Sequence, residues 1–537
     1  MDGDFWIREH PILKFDRGPK IKFNYQGKKI NAYQGETIGA ALYAAGVDIF
    51  SRSLKYHRPR GMFCVIGKCS SCLMRVDGVP NVKTCVTPVE DGMKVEAQTG
   101  YPTPEQDIYG VMDTLSPLFP IDFPYKLFHR PRFARNLFLR GVRSMTGLGA
   151  FPTRDPSKNI RASYEEKETE IAIIGAGPAG LSAAITAGKL AKDVTLIDEN
   201  AQLGGQLVKQ THMFFGSKDQ HAGTRGIDIA DELGEEVREL DNVEALLDST
   251  VIGIYDDNIL GVVSEDNFTE ICADKIIICT GARERYLAFE NNDLPGVMGA
   301  GGIQTLMNVH GVKPGEKALV VGAGNVGLIV AFQLIQAGVT IEAIVEAAPE
   351  IGGYQVHASK LARRGIPILT SHTIKKARGS KRVEGAQIVE LNENWNEIEG
   401  TEQNIDCDLI CVAIGLEPAY QTLFMAGCDM KHVGGLGGPI PLRTENLEIT
   451  KHGIYFAGDV GGIEEATTAM LEGKITAAHA AKSLGHDESE SIEIIKRAKE
   501  DLNNLRSGPF CAPVELAPIC TPLWEVEEKT KIKGEED

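Results

Sequence analysis

The sequence predicts an α/β protein with parallel sheets, preceded by a small α+β domain. A pattern of strand, glycine-rich turn, helix and strand begins at IAIIGAGPAG and begins again at ALVVGAGNVG, 147 residues later. This is an internal duplication of a βαβ unit, which builds parallel sheets. Because a single hydrophobic core stops growing near roughly 250–300 residues, we expect the 537 residues to form two to four domains.

The small domain is predicted over residues 15–99. Two strand patterns, IKFNYQG and KKINAY, precede a helix pattern from Glu36 to Gly46. Two further strands, CLMRV and VPNVKTC, flank Asp77 and Gly78, a pair that favours a tight hairpin turn. A hairpin followed by a helix is typical of the start of a small mixed domain.

Four cysteines in this domain carry a strong metal signal. They are Cys64, Cys69, Cys72 and Cys85, separated by four, two and twelve residues. The first two gaps are those of a plant-type [2Fe–2S] cluster, in which three thiolates reach the metal from one loop and the fourth comes from a neighbouring strand. A zinc site and four unligated buried cysteines are the alternatives.

Residues 100–165 are predicted to form a linker or a docking segment. The regular periodicity fades here, with six prolines between Pro102 and Pro131. The run YKLFHRPRFARNLFLRGVR makes Lys126 to Arg143 basic within a chain of net charge −18. Such a run either packs across an acidic neighbour in the same chain or docks onto a partner subunit.

The first βαβ unit carries a GxGxxG pattern in the context that dinucleotide binding needs. Gly175, Gly177 and Gly180 follow an apolar strand, and Asp198 ends the next strand. The glycines allow a tight turn and the close approach of a pyrophosphate, and the carboxylate can accept the ribose hydroxyls.

The second unit repeats this pattern with Gly322, Gly324 and Gly327, and Glu346 ends its second strand. An acid at that strand end repels a 2′-phosphate, so it favours NAD over NADP. The alternative is a unit that has lost its ligand and serves as a scaffold.

Three further strand ends carry small or acidic residues. The strand IIIC ends at Thr280 and Gly281, and the strand LICVAI ends at Gly415. In GIYFAGDVGG, Asp459 lies between an apolar strand and a helix, where a carboxylate can hydrogen-bond a ribityl chain.

Composition excludes several classes of protein. With 43% hydrophobic and 24% charged residues the chain is not expected to be disordered, and its negative charge argues against nucleic-acid binding. The apolar stretch 318–345 contains turn glycines and polar residues, so we do not expect an integral membrane protein. An N-terminus without an apolar segment and an odd number of scattered cysteines predict a cytoplasmic location.

Together these motifs resemble the two-dinucleotide-binding flavoproteins related to thioredoxin and glutathione reductases, over about residues 168–485. The resemblance implies two nested Rossmann-like domains. FAD would bind the domain at 166–288 and 418–490, NAD or another adenine nucleotide the domain at 289–417, and residues 491–537 would form a tail. No CxxC or CxxxxC motif lies near Gly205 or between Pro295 and Gly322, so the redox disulfide of those reductases is missing.

The resemblance also implies which residues contact each nucleotide. Those expected at FAD are Gly175, Gly177, Pro178, Ala179, Gly180, Asp198, Glu199, Gly205, Gln206, Thr280, Gly281, Gly458 and Asp459. Those expected at the second nucleotide are Gly322, Gly324, Asn325, Gly327 and Glu346, and Gly415 is expected to line a cofactor site as well.

The segment SRSLKYHRPRG before the cysteine loop and the later GGQLVKQTHMFFGS narrow the match. They resemble the alpha-type subunit of heteromeric sarcosine oxidase, dye-linked L-proline dehydrogenase and hydrogen cyanide synthase, over about residues 15–490. This implies a β-grasp ferredoxin-like domain and a subunit that moves electrons between flavin, [2Fe–2S] and an acceptor. A smaller FAD-containing partner would oxidise the amine, with small ferredoxin-like subunits and a shared FMN as further components.

Several assignments stay open at this stage. His212 is a candidate catalytic residue near the flavin, or a packing histidine. The basic residues Lys55, His57, Arg58 and Arg60 either clamp a flavin phosphate or form ion pairs within the chain. Cys511 and Cys520 lack the spacing of a second cluster, so we interpret them as structural. A self-contained NAD(P)H-dependent reductase and a non-catalytic scaffold are the alternative functions.

Overall fold

The computed structural model describes residues 4–118, 130–146, 163–214, 221–264 and 267–508, together with 514, 517 and 519. The chain divides into two compact units. The first comprises residues 1–158 and 284–415, and the second comprises residues 159–283 and 416–537. The second unit is therefore interrupted in sequence by part of the first.

The N-terminal domain is a five-stranded sheet with one helix. Thr37 caps the helix by accepting the N–H of Ala40 at 3.2 Å, so the helix begins one residue after Thr37. The sheet order β2-β1-β7-β5-β6 has a parallel β1–β7 pair between antiparallel hairpins, which is the β-grasp arrangement. The elements are β1 (Lys20–Tyr25), β2 (Lys28–Tyr33), α1 (Ile38–Ala44), β3 (Ser51–Arg52), β4 (Pro59–Arg60), β5 (Leu73–Val76), β6 (Val79–Lys83) and β7 (Lys94–Ala97).

Between this domain and the first βαβ unit the chain is mostly irregular. The described elements are α2 (Val111–Thr114) and α3 (Arg132–Thr146). Helix α3 begins directly after Pro131, a position where proline's missing N–H costs nothing because that group has no partner within a helix. The part of the predicted basic strip at 126–129 lies outside the described residues.

The second unit begins with the first βαβ pattern of the sequence. Its first part contains β8 (Ser163–Ile174), α4 (Pro178–Leu190), β9 (Val194–Ile197), α5 (Gly226–Arg238), β10 (Val243–Leu246), β11 (Thr250–Ile254), β12 (Ile259–Ser264), β13 (Asn267–Ile278) and β14 (Ala282–Glu284).

The chain then enters the first unit, where the second βαβ pattern lies. The elements are β15 (Val297–Gly299), α6 (Ala300–Gln304), β16 (Lys317–Val321), α7 (Asn325–Gln336), β17 (Thr340–Glu346), α8 (Gln355–Ala362), β18 (Ile368–Thr370), β19 (His372–Arg378), β20 (Gly385–Glu390), β21 (Gln403–Ile405) and β22 (Leu409–Val412).

The chain returns to the second unit for its remaining described elements. These are β23 (Leu416–Pro418), α9 (Gln421–Met425), β24 (Met430–Val433), β25 (Gly438–Pro441), β26 (Ile454–Phe456), α10 (Ala466–Ser483) and α11 (Glu488–Arg506).

Each unit contains one Rossmann-like sheet, and that of the second unit is mixed: β8, β9, β10, β13 and β26 run parallel, while β12 pairs antiparallel with β11 and β13. In the second unit the order is β10-β9-β8-β13-β12-β11, and β26 also pairs with β13. In the first unit the order β15-β22-β16-β17-β18 is parallel throughout. The fully buried runs Ile171–Ile173 and Leu319–Val320 show why these strands read as continuous apolar segments rather than as alternating ones. The predicted α/β fold with two Rossmann-like domains after a β-grasp domain is confirmed.

The N-terminal domain and the second Rossmann-like domain share one hydrophobic core. Phe23 and Leu42 of the small domain belong to the same buried cluster as Met298, Leu306 and Leu328. Polar contacts reinforce this packing. Tyr43 donates its hydroxyl to the carbonyl of Pro314 at 2.6 Å, and the guanidinium of Arg58 pairs with Asp293 at 2.9 Å. These two domains therefore form a single compact body.

Within the described ranges, none of the helices is both long and apolar enough to cross a membrane.

Candidate functional site

The four cysteines meet at one end of the small domain. Cys64, Cys69 and Cys72 lie on the loop between β4 and β5, and Cys85 follows β6. All but the partly exposed Cys69 are buried. Hydrogen bonds join the thiols in two pairs, Cys64 with Cys69 and Cys72 with Cys85. The fold thus brings together residues that span 22 positions of sequence.

Backbone N–H groups point at these sulfurs. The N–H of Gly67 donates to Sγ of Cys85, and that of Lys68 donates to Sγ of Cys64, both at 3.3 Å. Gly67 has a φ of +74°, a left-handed conformation that a side chain disfavours. Donation from the Cys64 thiol lowers the pKa of Cys69 to about 5, in spite of burial. The pKa of Cys72 is lowered in the same way by Cys85, whereas the pKa values of the donating thiols Cys64 and Cys85 are raised. One thiol of each pair therefore favours the thiolate form that iron requires.

This donor set fits a [2Fe–2S] cluster better than a zinc ion. A [2Fe–2S] cluster is held by four thiolates, two on each iron, and the structure supplies two pairs. A zinc site needs four ligands gathered around one point. No group of three or more His, Cys, Asp or Glu side chains gathers in that way anywhere in the described ranges.

The first glycine pattern forms the turn from β8 into α4. A side chain at Gly175 would collide with the carbonyl of Cys279, and one at Gly180 would collide with the carbonyl of Gly175. A Cβ at Gly177, by contrast, would meet nothing within 4 Å. Helix α4 starts at Pro178 without a side-chain cap. The helix start therefore faces open space of the kind that a pyrophosphate fills.

Asp198 ties this turn to the next strand. Its Oδ2 accepts the N–H of Ala176 at 2.5 Å, and its Oδ1 accepts the N–H of Asn200 at 2.8 Å. Burial raises the pKa of Asp198. A Cβ at Gly205 would lie 2.6 Å from the Cα of Gly177, so the Gly204-Gly205 pair sits against the same open space. Gln206 follows in a short 3₁₀ helix, and Glu199 is exposed.

The turn after β26 reaches the same place. A Cβ at Gly458 would lie 3.1 Å from the side chain of Ala179, which puts Asp459 beside the start of α4. Oδ1 of Asp459 accepts the N–H of Glu464 at 3.1 Å, and burial raises the pKa of Asp459 to about 7.

Thr280 completes this cluster from the end of β13. Its backbone N would lie 3.3 Å from a Cβ at Gly175, and its hydroxyl lies 3.0 Å from the hydroxyl of Thr422. Gly281, with a φ of +66°, follows it. The predicted FAD residues from four separate segments thus converge around the N-terminus of α4, and they fit the dinucleotide.

The second glycine pattern repeats this geometry on β16 and α7. A side chain at Gly327 would collide with the carbonyl of Gly322, while Gly324 again faces open space. Oε2 of Glu346 accepts the N–H of Ala323 at 2.7 Å, as Asp198 does in the first unit. Gly415 follows β22 with a φ of +106° and open space beside it. The site keeps the shape needed for an adenine dinucleotide.

A second glycine pair in this domain escaped the sequence analysis. The N–H of Gly353 donates to the carbonyl of Ala323 at 3.0 Å, just as Gly204 donates to Ala176 at 2.9 Å. Oδ1 of Asn325 accepts the N–H of Tyr354 at 2.8 Å and holds the pair in place. The signal was present in the sequence, because IGGYQV matches LGGQLV one residue out of register with the 147-residue repeat.

His212 lies in a different environment. It is half-buried and stacks on Phe214, with ring centroids 5.7 Å apart and planes at 22°. A role near the flavin remains a prediction.

The basic cluster before the cysteine loop is engaged within the chain. Nδ1 of His57 lies 2.7 Å from Asp107, and Arg58 binds Asp293 and Asp113. The structure therefore supports contacts with carboxylates of the same chain, an ion pair for Arg58 and a hydrogen bond for His57, rather than a phosphate clamp. Cys511 and Cys520 lie outside the described residues.

Two protein families match the chain. Residues 169–473 match the pyridine nucleotide-disulphide oxidoreductases, and residues 18–100 match the 2Fe-2S iron-sulfur cluster binding domain. These two matches support the [2Fe–2S], FAD and NAD cofactors that the sequence predicts.

Several known proteins are similar to this chain. The sarcosine oxidase subunit alpha of Rhizobium meliloti is 30% identical over 95% of this chain and 49% of its own length. A hydrogen cyanide synthase subunit of Pseudomonas protegens is 26% identical over 57% of this chain and 68% of its own. The crystal structure of L-proline dehydrogenase from P. horikoshii superposes with a TM-score of 0.63 at 25% identity, covering 92% of this chain and 79% of that one. The chain spans about half the length of the sarcosine oxidase subunits it matches.

Replacing Cys69 by serine should abolish the electron paramagnetic resonance signal of the reduced cluster, because an alcohol is a poor ligand for iron in place of a thiolate. Replacing the exposed Cys272 by serine is the matched control and should leave the signal intact. An unchanged signal in the Cys69→Ser protein would remove that residue from the ligand set.

Replacing Asp459 by alanine should weaken FAD binding by roughly 10- to 100-fold, since a hydrogen bond to a charged group contributes about 1.5–3 kcal/mol. The wild-type affinity should be full above pH 7 and fall as the pH drops through 7, where the carboxylate with a pKa of about 7 takes up a proton. Titration of the flavin-depleted protein with FAD between pH 5.5 and 8.5 measures both effects.

An Asp459→Asn protein should show no pH dependence in that window, and a variant of the exposed Asp241 should titrate like the wild type. Full flavin occupancy in the alanine variant would contradict the assignment of Asp459.

Proposed function

Since the chain belongs to the pyridine nucleotide-disulphide oxidoreductase family and carries a 2Fe-2S cluster binding domain, we propose that it is the electron-transferring subunit of a heteromeric amine dehydrogenase or oxidase. The substrate class is a secondary amine of amino-acid type, such as sarcosine, proline, hydroxyproline or an opine, or the primary amine glycine. A smaller FAD-containing partner oxidises the CH–NH group, and this chain passes the electrons onward.

The observation that carries this proposal is the position of the cysteine loop. A side chain at Gly302, in α6, would collide with the carbonyl of Phe63 and lie 3.1 Å from the carbonyl carbon of Cys64. The N–H of Gly299 donates to the same Phe63 carbonyl at 3.2 Å. The backbone of a cluster ligand is therefore in direct contact with the second Rossmann-like domain.

This contact lies at the functional edge of the sheet. Helix α6 follows β15, and β15, β22 and β16 run parallel, so their carboxyl ends share one edge. Open parallel sheets bind ligands outside that edge, where Gly322 and Gly415 also lie. The fold thus supports a short path between the cluster and a dinucleotide in the same unit.

The cofactors suit this division of labour. FAD, when bound, accepts a pair of electrons and releases them singly, and a [2Fe–2S] cluster carries one electron at a time. The chain's residues hold these groups: glycine turns admit the pyrophosphates, acids at strand ends orient the riboses, and Asp459 accepts a hydroxyl hydrogen. None of the nine cysteines that the structure describes forms a disulfide, so no disulfide among them competes as an acceptor.

Helix α3 is the proposed docking surface for the acidic face of the partner. The arginines at 132, 135, 140 and 143 give it positive charge, and Arg130 precedes it. Phe133 and Leu137, one turn apart, are 74% and 70% exposed. An amphipathic basic helix with its apolar side chains in water fits a partner better than it fits bulk solvent.

A self-contained NAD(P)H-dependent reductase is the second candidate function. The observation that favours it is the intact second fingerprint, with open space at Gly324 and an acid at Glu346. In that case NADH would reduce the flavin without any partner. A scaffold that only holds its nucleotides would react with neither donor.

Anaerobic mixing separates these functions. The isolated chain should show no bleaching of its flavin band with NADH or NADPH, whereas addition of the copurified small subunit and its amine should reduce both flavin and cluster. Visible absorbance and electron paramagnetic resonance report the two steps. Rapid bleaching by NADH alone would replace the proposal with the reductase, and no reduction by either donor would leave the scaffold.

Changing Phe133 and Leu137 to serine should weaken binding of the purified partner subunit at least tenfold, because both side chains lose apolar area that the complex buries. Raised ionic strength should weaken the wild-type complex as well. Changing Trp395 to serine is the control, because this side chain is 64% exposed on a loop outside α3, and it should leave the affinity unchanged. Equal affinities in a binding titration would remove α3 from the interface.

A further inference from the structure

An ionic cluster lies beneath the turn that carries Asp459. Arg506, the last residue of α11, donates from Nε to Oε2 of Glu464 at 2.9 Å and from Nη2 to the other oxygen of Glu464. The same Nη2 donates to Glu472 at 2.6 Å. The three side chains are 18%, 12% and 4% exposed, so one guanidinium neutralises two largely buried carboxylates.

Both glutamates act directly on the turn. Oε2 of Glu472 accepts the N–H of Gly458 at 2.8 Å, and the backbone N–H of Glu464 donates to Asp459 at 3.1 Å. Each of the two glutamates that Arg506 binds therefore makes one of the hydrogen bonds that orient the turn.

The other charged group near this cluster is Arg443. It is buried, and its guanidinium lies 5.7 Å from the ring of Phe456 in β26. Burial lowers its pKa, and so does the positive charge of Arg506. Two arginines thus lie near Glu464 and Glu472, and Arg506 is the one that makes the described hydrogen bonds to both glutamates.

Helix α11 lies C-terminal to the region that matches the family, which ends at residue 473. Its inner side chains Ala498 and Leu502 pack with Leu471 and Ile475 of α10 in a separate buried cluster. This packing delivers the end of the helix, and with it Arg506, to Glu464 and Glu472.

We infer that Arg506 is a positioning residue for FAD: by clamping Glu464 and Glu472 it holds Gly458 and Asp459 in the conformation that accepts the ribityl chain. The inference rests on the proposed function in one respect, the binding of FAD at Asp459. Without the guanidinium of Arg506, the two carboxylates would lose their hydrogen-bonded counter-charge and keep only the nearby Arg443. Their added negative charge would then disfavour the ionised form of Asp459 and loosen the turn.

The test compares three variants of the full chain after removal and re-addition of FAD. Arg506→Met should raise the dissociation constant for FAD at least tenfold and shift the flavin absorbance maximum. Arg506→Lys, which keeps the charge without the fork, should recover part of the affinity. Arg497→Met, at an exposed position of the same helix, should bind like the wild type.

Thermal unfolding followed by circular dichroism reports whether each variant is folded, including the unit that carries Arg506. If the Arg506→Met protein does not fold, a double variant with Glu464→Gln and Arg506→Met removes one of the carboxylates that would lack its partner. The affinity of this double variant for FAD should be lower than that of the single Glu464→Gln variant. Wild-type affinity in either Arg506→Met protein would overturn the inference and leave the proposed function standing. A wild-type chain that binds no FAD would overturn both.

Discussion

The close approach of the Phe63 carbonyl to Gly302 is the contact on which the arrangement of the first unit depends. Only a residue without a side chain lets α6 reach the backbone of the cysteine loop, and this places the small domain against the edge of the second parallel sheet. The shared core around Phe23 and Met298 then stabilises the arrangement by excluding water from both domains. A flexible tether would leave the distance between cluster and nucleotide variable, whereas a shared core makes it part of the fold.

The two Rossmann-like domains hold their glycine turns with equivalent hydrogen bonds. In each, a strand-end carboxylate accepts an N–H from the glycine turn, at Ala176 in one and Ala323 in the other. A glycine pair then donates back to that same residue's carbonyl. These bonds satisfy polar groups that would otherwise be buried without partners, and they leave the middle glycine facing open space. The turn is therefore formed before a nucleotide arrives, which lowers the ordering cost of binding.

The chain has a net negative charge, but positive charge is concentrated at two places, helix α3 and Arg506. The positive charge of α3 lies on an exposed helix with exposed aromatic and aliphatic side chains. The positive charge of Arg506 is mostly buried and is matched by two glutamates. At the docking surface proposed for α3, positive charge would steer association, whereas the buried charge of Arg506 compensates the two glutamates beside Asp459. Under the two proposals, similar residue types would serve assembly in one unit and cofactor geometry in the other.

Local spacing in the sequence was enough to predict a [2Fe–2S] domain, the fold class and both glycine turns, because these depend on nearby residues and on short-range steric rules. Cysteine gaps, apolar strands and glycine patterns leave a readable trace within about thirty residues. Three features could be seen only in the tertiary structure: the packing of the cysteine loop on the second Rossmann-like domain, the ion pair of Arg58 with Asp293, and the contact of Arg506 with the glutamates at the Asp459 turn. Arg58 and Asp293 are 235 positions apart, and no pattern along the chain encodes such a distance. The physical reason is that burial and charge pairing select partners by proximity in space, which the packing of whole domains creates.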